Sequence, residues 1–302
     1  MDPVLSAVAG AFAGAIIGSF IATIALRWPD GRSISARRSS CDGCGEVLRF
    51  WELIPILSWI ALRGRCARCG AGIAPTHAVI EVGSALIGGA ALWFSPDGGG
   101  MVLAMLGWQL LLLGWLDAHH MWLPHGLSGL LAASGLGLGG YAMASVDLTV
   151  TASDRLIGLV VGYGALALIA LAYRALRGRD GLGGGDAPML GAIGAWLGWA
   201  MLPMVVLFAA LAGIALALCR IPMRHRVDTD TDWRTMRLPL GTLMALAVPA
   251  VLASTAVMAR PAGFEPATGR VEVGNSIQLS YGRVAVPLAW IAQQAKIDTI
   301  EK

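Results

Sequence analysis

The chain has 302 residues, of which 56% are apolar and 14% are charged, whereas globular domains average roughly 45–50% apolar and about 25% charged residues. This composition excludes a water-soluble single domain, and the single glycines scattered through long apolar runs exclude collagen and disordered low-complexity sequence. The net charge of +3 comes without a lysine-rich run, so we expect no nucleic-acid partner.

The first apolar segment, residues 4–26, is long enough to cross a membrane. Arginines follow it between residues 27 and 38, which is the reverse of the charge order in a signal peptide, so we interpret the segment as a retained helix. Gly10, Gly14 and Gly18 recur every four residues along it. This spacing predicts a smooth helix face that packs closely against a neighbouring helix.

Further apolar segments follow, and with the first they predict about eight transmembrane helices. They cover residues 78–94, 101–116, 123–144, 155–176, 188–201, 204–219 and 238–258. The run 188–219 leaves two alternatives, one long helix kinked at Pro203 or two short spans joined by a tight turn. We favour two spans because a single span would move the five arginines between residues 220 and 237 to the outer side.

Basic residues set the predicted orientation. With the N-terminus outside, the cytoplasmic loops hold 16 of the 22 lysines and arginines, as the positive-inside rule requires. These loops are residues 27–77, 117–124, 174–187 and 220–237.

The predicted fold is therefore an all-α integral membrane protein. It divides into a first transmembrane helix at 1–26, a cytoplasmic loop at 27–77, a seven-helix membrane core at 78–259 and an extracytoplasmic polar tail at 260–302. In the tail, alternating apolar residues predict a small hairpin that turns at Gly274 and Asn275.

The large basic loop contains two matched C-x-x-C pairs, each followed by glycine: Cys41, Cys44, Cys66 and Cys69. A two-residue spacer lets both thiolates of a pair reach one ion, and four thiolates suit tetrahedral Zn²⁺ in a structural site. The alternatives are two disulfides or two free thiol pairs, and a cytoplasmic location disfavours disulfides.

Two carboxylates lie at predicted helix ends, Asp117 after one span and Asp186 after a glycine-rich stretch. The number of preceding spans places both on the cytoplasmic side, where acids at membrane depth are functional candidates. Two neighbouring carboxylates share a proton, so one activates water while the other donates to the scissile carbonyl, as in aspartyl proteases. The alternatives are that Asp186 is an ordinary helix N-cap before Pro188 and that Asp117 is a solvated loop-end acid.

At these residues the chain resembles the bacterial type IV prepilin leader peptidases and N-methyltransferases, membrane aspartyl peptidases with a G-x-G-D motif. The similarity covers about residues 14–250. Its blocks are, in order, Gly18-Ser19-Phe20, the first cysteine pair leading into residues 51–59, Arg63-Gly64-Arg65 with the second cysteine pair and Glu81, the Asp117 segment, and Gly183-x-Gly185-Asp186 with residues 194–198.

The resemblance implies that Asp117 and Asp186 are the catalytic aspartates, supported by Gly183 and Gly185, and that the four cysteines hold zinc. It implies cleavage of the basic leader of type IV prepilins or type II secretion pseudopilins after glycine, at the cytoplasmic face of the bacterial inner membrane. It also implies methylation of the new N-terminus with S-adenosylmethionine as donor. The sequence shows no alternation of strand and helix patterns like that of a soluble methyltransferase. The donor site is therefore assigned to no residues. No oligomeric state is predicted.

The chain departs from this family pattern at two places. Ala187-Pro188-Met189 stands where the family has an apolar residue and lysine after G-x-G-D, and His125 stands where it has an acid or amide. A missing lysine removes a cation near Asp186 and so changes how the pair shares its proton. Two other hypotheses are a non-catalytic zinc-bearing scaffold of a pilus or secretion apparatus and a proton-coupled transporter.

Overall fold

The structure is a computed structural model that describes residues 2–32, 39–41, 43–224 and 239–258. The predicted tail hairpin lies outside the described residues. Within them the fold is helical, and the only β pairing is two isolated bridges. The helices are α1 (Pro3–Arg27), α2 (Leu57–Ala61), α3 (Pro75–Phe94), α4 (Gly98–His120), α5 (His125–Ala144), α6 (Ala152–Arg177), α7 (Asp186–Leu197), α8 (Leu202–Arg224) and α9 (Leu240–Met258).

Six of the described helices are long and apolar enough to cross a membrane, namely α1, α3, α4, α5, α6 and the segment 199–219 that contains most of α8. The all-helical membrane fold is thereby confirmed. The other two predicted spans correspond to α7 and α9. At about 1.5 Å of rise per residue, the 12 residues of α7 extend only about 18 Å, less than the roughly 30 Å of a hydrocarbon core.

The 188–219 run forms two helices, and the break lies at Gly198 and not at Pro203. The charge argument favoured two membrane spans, but only the second of these two helices is long enough to cross a membrane. Gly198 has φ +77°, a left-handed conformation that glycine adopts without a steric penalty. Pro203 instead occupies the first turn of α8, where its missing N–H costs no helix hydrogen bond.

Glycines set the two closest helix crossings. In the first, α1 packs on α3, and a Cβ atom on Gly10 or Gly14 would overlap the carbonyl oxygen of Gly88 or Ser84. The predicted glycine face of α1 is thus confirmed. In the second crossing, α7 packs between α5 and α6.

Contacts between loops show which helix ends lie together. Trp28, just after α1, packs edge-to-face on Trp122, just after α4, with ring centroids 5.5 Å apart. The backbone N–H of Ile56 donates to Glu81 Oε2 near the start of α3 at 2.8 Å. The cysteine loop and the end of α4 therefore lie at the same end of the helix bundle.

Candidate active site and cysteine cluster

Asp117 lies in the last turn of α4 and is only 5% exposed. Its Oδ2 atom accepts the backbone N–H of Thr242 at 2.7 Å and lies 3.1 Å from the Thr242 hydroxyl. Thr242 belongs to the first turn of α9, whose N–H groups have no partner within their own helix. The carboxylate of one helix thus caps the N-terminus of another, so Asp117 is not the solvated acid of the alternative interpretation.

Asp186 is the first residue of α7 and is 7% exposed. Its Oδ2 accepts the backbone N–H of Gly183 at 3.0 Å, and its own N–H donates to the Gly183 carbonyl at 3.2 Å. An N-cap side chain would instead accept from the N–H groups that follow it. The N-cap position belongs to Gly185, so the simple N-cap interpretation of Asp186 does not describe this geometry.

Leu123 brings the two acidic segments together. It follows α4, and a Cβ atom on Gly185 would overlap the Leu123 side chain, while one on Gly241 would lie 2.8 Å from Leu123 Cδ1. The start of α7 and the start of α9 therefore pack on the same leucine, beside Asp117. Glycine at position 185 is required by this close approach.

The two carboxylates also interact electrostatically. Burial, and next the negative charge of Asp117, raise the pKa of Asp186 to about 6, against the opposing effect of the Gly183 N–H. Both effects disfavour the charged form, so Asp186 keeps its proton to higher pH than a solvated aspartate. The structure thus brings together the two acids that the sequence singled out, 69 positions apart in the chain.

Two of the residues that depart from the family pattern line one groove. Pro188, in the first turn of α7, lines it with His125 and Ser128 of α5 and Tyr163 of α6. Met189 is fully buried. The residues that line the groove include no lysine or arginine, so none of them supplies the cation that the family's lysine would.

The four cysteines of the loop form one cluster. Their Sγ atoms all lie within 4.8 Å of one another, and those of Cys41 and Cys69 are 3.8 Å apart. Sulfurs held tetrahedrally at about 2.3 Å from Zn²⁺ lie about 3.8 Å apart. The donor set and its spacing fit a closed four-thiolate metal site.

Each cysteine pair lies in the same kind of turn. The N–H of Cys41 donates to the Glu46 carbonyl, and that of Cys66 donates to the Ala71 carbonyl. The glycines after the pairs, Gly45 and Gly70, both have φ +70°, a conformation that glycine adopts without a steric penalty. Backbone N–H groups of Cys69 and Arg68 lower the pKa of the Cys66 thiol to about 7, whereas the opposing effect of the Ala71 N–H is outweighed by burial and the other thiols, which raise the pKa of Cys69 to about 11.

The sequence did not indicate two residues of the acidic site, Thr242 and Gly241. A Cβ atom on Gly241 would lie 3.0 Å from Asp117 Oδ2, and Thr242 donates to that same oxygen. No pattern near these residues signals the contact, because a threonine after a glycine at the start of an apolar helix is ordinary. Only the packing of α9 against α4 makes them part of the site.

The chain is similar to known sequence families over most of its length. The bacterial peptidase A24 N-terminal domain matches residues 12–95, and the type IV leader peptidase family matches residues 104–218. A prepilin leader peptidase/N-methyltransferase of Stutzerimonas stutzeri is 34% identical over 212 residues, 69% of each chain. Proteins of the same name from Burkholderia pseudomallei (strain K96243) and Aeromonas hydrophila are 40% and 35% identical, over 63% and 70% of this chain and 60% and 69% of their own lengths. No solved structure matches.

Proposed function

The chain belongs to the type IV leader peptidase family and is a prepilin peptidase, and from this premise we propose that Asp117 and Asp186 are its catalytic residues. The observation that carries the proposal is the meeting of two buried carboxylates, from the end of α4 and the start of α7, at one end of the bundle.

In the proposed reaction the two acids have opposite tasks. Asp186, which holds its proton to higher pH, donates that proton to the oxygen of the scissile carbonyl. Asp117, as the carboxylate, takes a proton from the attacking water, whose oxygen bonds to the carbonyl carbon. When the tetrahedral intermediate collapses, the C–N bond breaks and the leaving amine takes up the proton held by Asp117 while Asp186 recovers its own.

The proposed substrate is a prepilin or pseudopilin with a basic leader, cut after a glycine at the cytoplasmic face. The sequence segments 27–77, 174–187 and 220–237 hold 16 of the 22 lysines and arginines, which supports the cytoplasmic assignment of these segments under the positive-inside rule. The groove lined by Pro188, His125 and Tyr163 includes no lysine, arginine or acidic side chain, which supports recognition of apolar rather than charged substrate residues.

We propose that Cys41, Cys44, Cys66 and Cys69 hold one structural Zn²⁺. With four protein thiolates the ion keeps no open position for water or substrate, so it stabilises the loop and takes no part in peptide cleavage. The ion pair between Arg68 and Glu46 also joins the two cysteine turns.

We further propose that the new N-terminus is methylated, with S-adenosylmethionine as donor. The relatives' name includes an N-methyltransferase activity. The deprotonated amine that peptide cleavage releases is the acceptor for such a methyl group. The donor site is not assigned to residues.

The peptidase proposal is tested by incubating purified protein with a prepilin and following loss of the leader on a gel. Asp117→Asn and Asp186→Asn should each lower kcat by about 10²- to 10⁴-fold, because each variant removes a general acid or base. Asp180→Asn is the matched control, since Asp180 is an exposed acid in the loop before α7. Cleavage that survives either substitution at the wild-type rate would contradict the catalytic role of that aspartate.

The zinc proposal is tested by metal analysis. The purified protein should contain one equivalent of zinc, and Cys41→Ser should lose it, whereas Cys219→Ser, at an exposed cysteine outside the cluster, should keep it. One equivalent of zinc retained in Cys41→Ser would contradict the four-thiolate site.

Mass spectrometry of the mature product tests methylation separately. With S-adenosylmethionine present, the product should gain one methyl group, about 14 Da, because one N–H hydrogen is replaced by CH₃. An unmodified N-terminus under conditions of complete cleavage would remove the transferase activity and leave the peptidase proposal intact.

A further inference from the structure

Among the described residues, Thr242 makes the hydrogen bonds to the carboxylate of Asp117. Its backbone N–H donates to Asp117 Oδ2 at 2.7 Å. Its hydroxyl oxygen lies 3.1 Å from the same Oδ2 and 2.9 Å from the carbonyl oxygen of Gly114, one turn earlier in α4. Thr242 lies outside the segment that matches the leader peptidase family, residues 104–218.

The hydroxyl of Thr242 can serve Asp117 in both of its protonation states. A hydroxyl has one proton and two lone pairs, and here two oxygens lie within its reach. When Asp117 is a carboxylate, the hydroxyl donates to Oδ2. When Asp117 has taken a proton from water on Oδ1, Oδ2 remains an acceptor, and the hydroxyl either keeps donating to it or turns its proton to the Gly114 carbonyl.

The contacts also distinguish the two oxygens of each carboxylate. Oδ2 of Asp117 is held by Thr242, and Oδ2 of Asp186 is held by the Gly183 N–H. Among the described residues, neither Oδ1 atom receives a hydrogen bond. Each acid therefore has one anchored oxygen and one oxygen left for water or substrate.

The backbone around Thr242 fits this arrangement closely. A Cβ atom on Gly241 would lie 3.0 Å from Asp117 Oδ2 and 2.8 Å from Leu123 Cδ1, closer than side-chain atoms normally approach. Glycine at this position lets α9 begin against Asp117, so that the N–H of Thr242 reaches the carboxylate.

We propose that Thr242 is a positioning residue for the peptidase reaction: it anchors Oδ2 of Asp117 through both proton transfers and leaves Oδ1 to contact the attacking water. The inference rests on the proposed catalytic role of Asp117. Thr242 itself touches no reacting atom, so its loss should affect the orientation of Asp117 and not substrate binding.

Steady-state cleavage of a prepilin by the full-length protein tests the proposal. Thr242→Val removes the hydroxyl but keeps the shape and the backbone N–H, and should lower kcat about 10- to 100-fold, the usual effect of losing a group that orients a reactive one, with KM changed by less than about 3-fold. Thr242→Ser keeps the hydroxyl and should retain at least about a third of wild-type kcat. Thr255→Val is the matched control, because the hydroxyl of Thr255, on the same helix, bonds only to backbone carbonyls of α9.

Two results would overturn the positioning role while leaving the proposed function in place. In one, Asp117→Asn is inactive and Thr242→Val retains wild-type kcat. In the other, Thr242→Ser and Thr242→Val lose activity equally, so that the hydroxyl is irrelevant. Wild-type cleavage by Asp117→Asn is a different failure, since it removes the catalytic role of Asp117 on which the inference rests.

Discussion

Asp186 shows at the scale of one residue how a buried carboxyl group opposes stability at neutral pH. Its pKa is raised from 3.8 to about 6, chiefly by burial, so the folded protein binds a proton that the unfolded chain releases. The stabilisation of the folded state by this bound proton is therefore largest below about pH 4 and is lost as pH rises through about 6. A two-unit shift corresponds to at most about 3 kcal/mol, and partial solvent contact reduces this to about 1–2 kcal/mol.

We predict that Asp186→Asn stabilises the protein at neutral pH while abolishing cleavage. Asparagine resembles the protonated acid and carries no charge to bury, so its free energy of unfolding should exceed that of the wild type by about 1–2 kcal/mol at pH 8 and match it near pH 4. Thermal unfolding in detergent at both pH values measures the difference. Asp180→Asn, at an exposed acid, should change little, and an equal effect of Asp186→Asn at both pH values would contradict the buried-charge explanation.

Individual residues differ in how far the sequence could predict them. Asp117, Asp186 and the four cysteines carry rare chemistry in recognisable spacings, so the sequence identified them before their contacts were known. Thr242 and Gly241 could not be predicted in this way. The backbone N–H of Thr242 and its acceptor on Asp117 are 125 positions apart, and their contact depends on how α4 and α9 pack. No local sequence pattern indicates it.

At the scale of helices, the crossing of α6 and α7 determines where Asp186 lies. A Cβ atom on Gly194 would overlap the carbonyl oxygen of Gly158, and one on Gly158 would overlap that of Gly194. Backbone meets backbone at this point, so no side-chain rotation can relieve an added methyl group. The position of α7 is therefore fixed by the contact between Gly158 of α6 and Gly194, which lies about two turns after Asp186.

We predict that Gly194→Ala destabilises the protein by about 2–3 kcal/mol, the usual cost of overpacking a close contact, and lowers cleavage because α7 shifts. Gly164→Ala is the matched control, since Gly164 lies on α6 with no atom within 4 Å of its Cβ position. It should be neutral or stabilise α6 by up to about 1 kcal/mol. Thermal unfolding and the gel assay measure both effects, and similar losses for the two variants would show that the crossing is not the cause.

The helices themselves were largely predictable, because apolar length identifies them, whereas the shape of the 188–219 run was not. Sequence alone made Pro203 the obvious breaker, but a proline in a first turn breaks nothing. Gly198 ends α7 instead, and its signal was lost among 40 glycines. The short length of α7 follows from that break and is invisible to a search for apolar stretches.

At the scale of the whole described bundle, α4 joins two apolar cores. One face contributes Leu106, Leu110 and Leu113 to the core shared with α5, α7, α8 and α9. Another face contributes Trp108 and Leu112 to the core shared with α1 and α3. Helix α4, which carries Asp117 in its last turn, is thus packed on two of its faces. This packing supports a rigid placement of Asp117.

Orientation in the membrane is the prediction that belongs to this scale. The 26 residues of α6 extend about 39 Å, so the loops before and after it lie on opposite membrane surfaces. Thr149, before α6, and Asp180, after it, are both exposed.

In a Cys219→Ser background with the cluster cysteines bound to zinc, an impermeant maleimide on intact spheroplasts should label Thr149→Cys and label Asp180→Cys only after permeabilisation. The physical reason is that the sequence segments 27–77, 174–187 and 220–237 hold 16 of the 22 lysines and arginines, and basic segments are retained on the cytoplasmic side during insertion. The reverse labelling pattern would place both aspartates outside and contradict cleavage of a leader at the inner face.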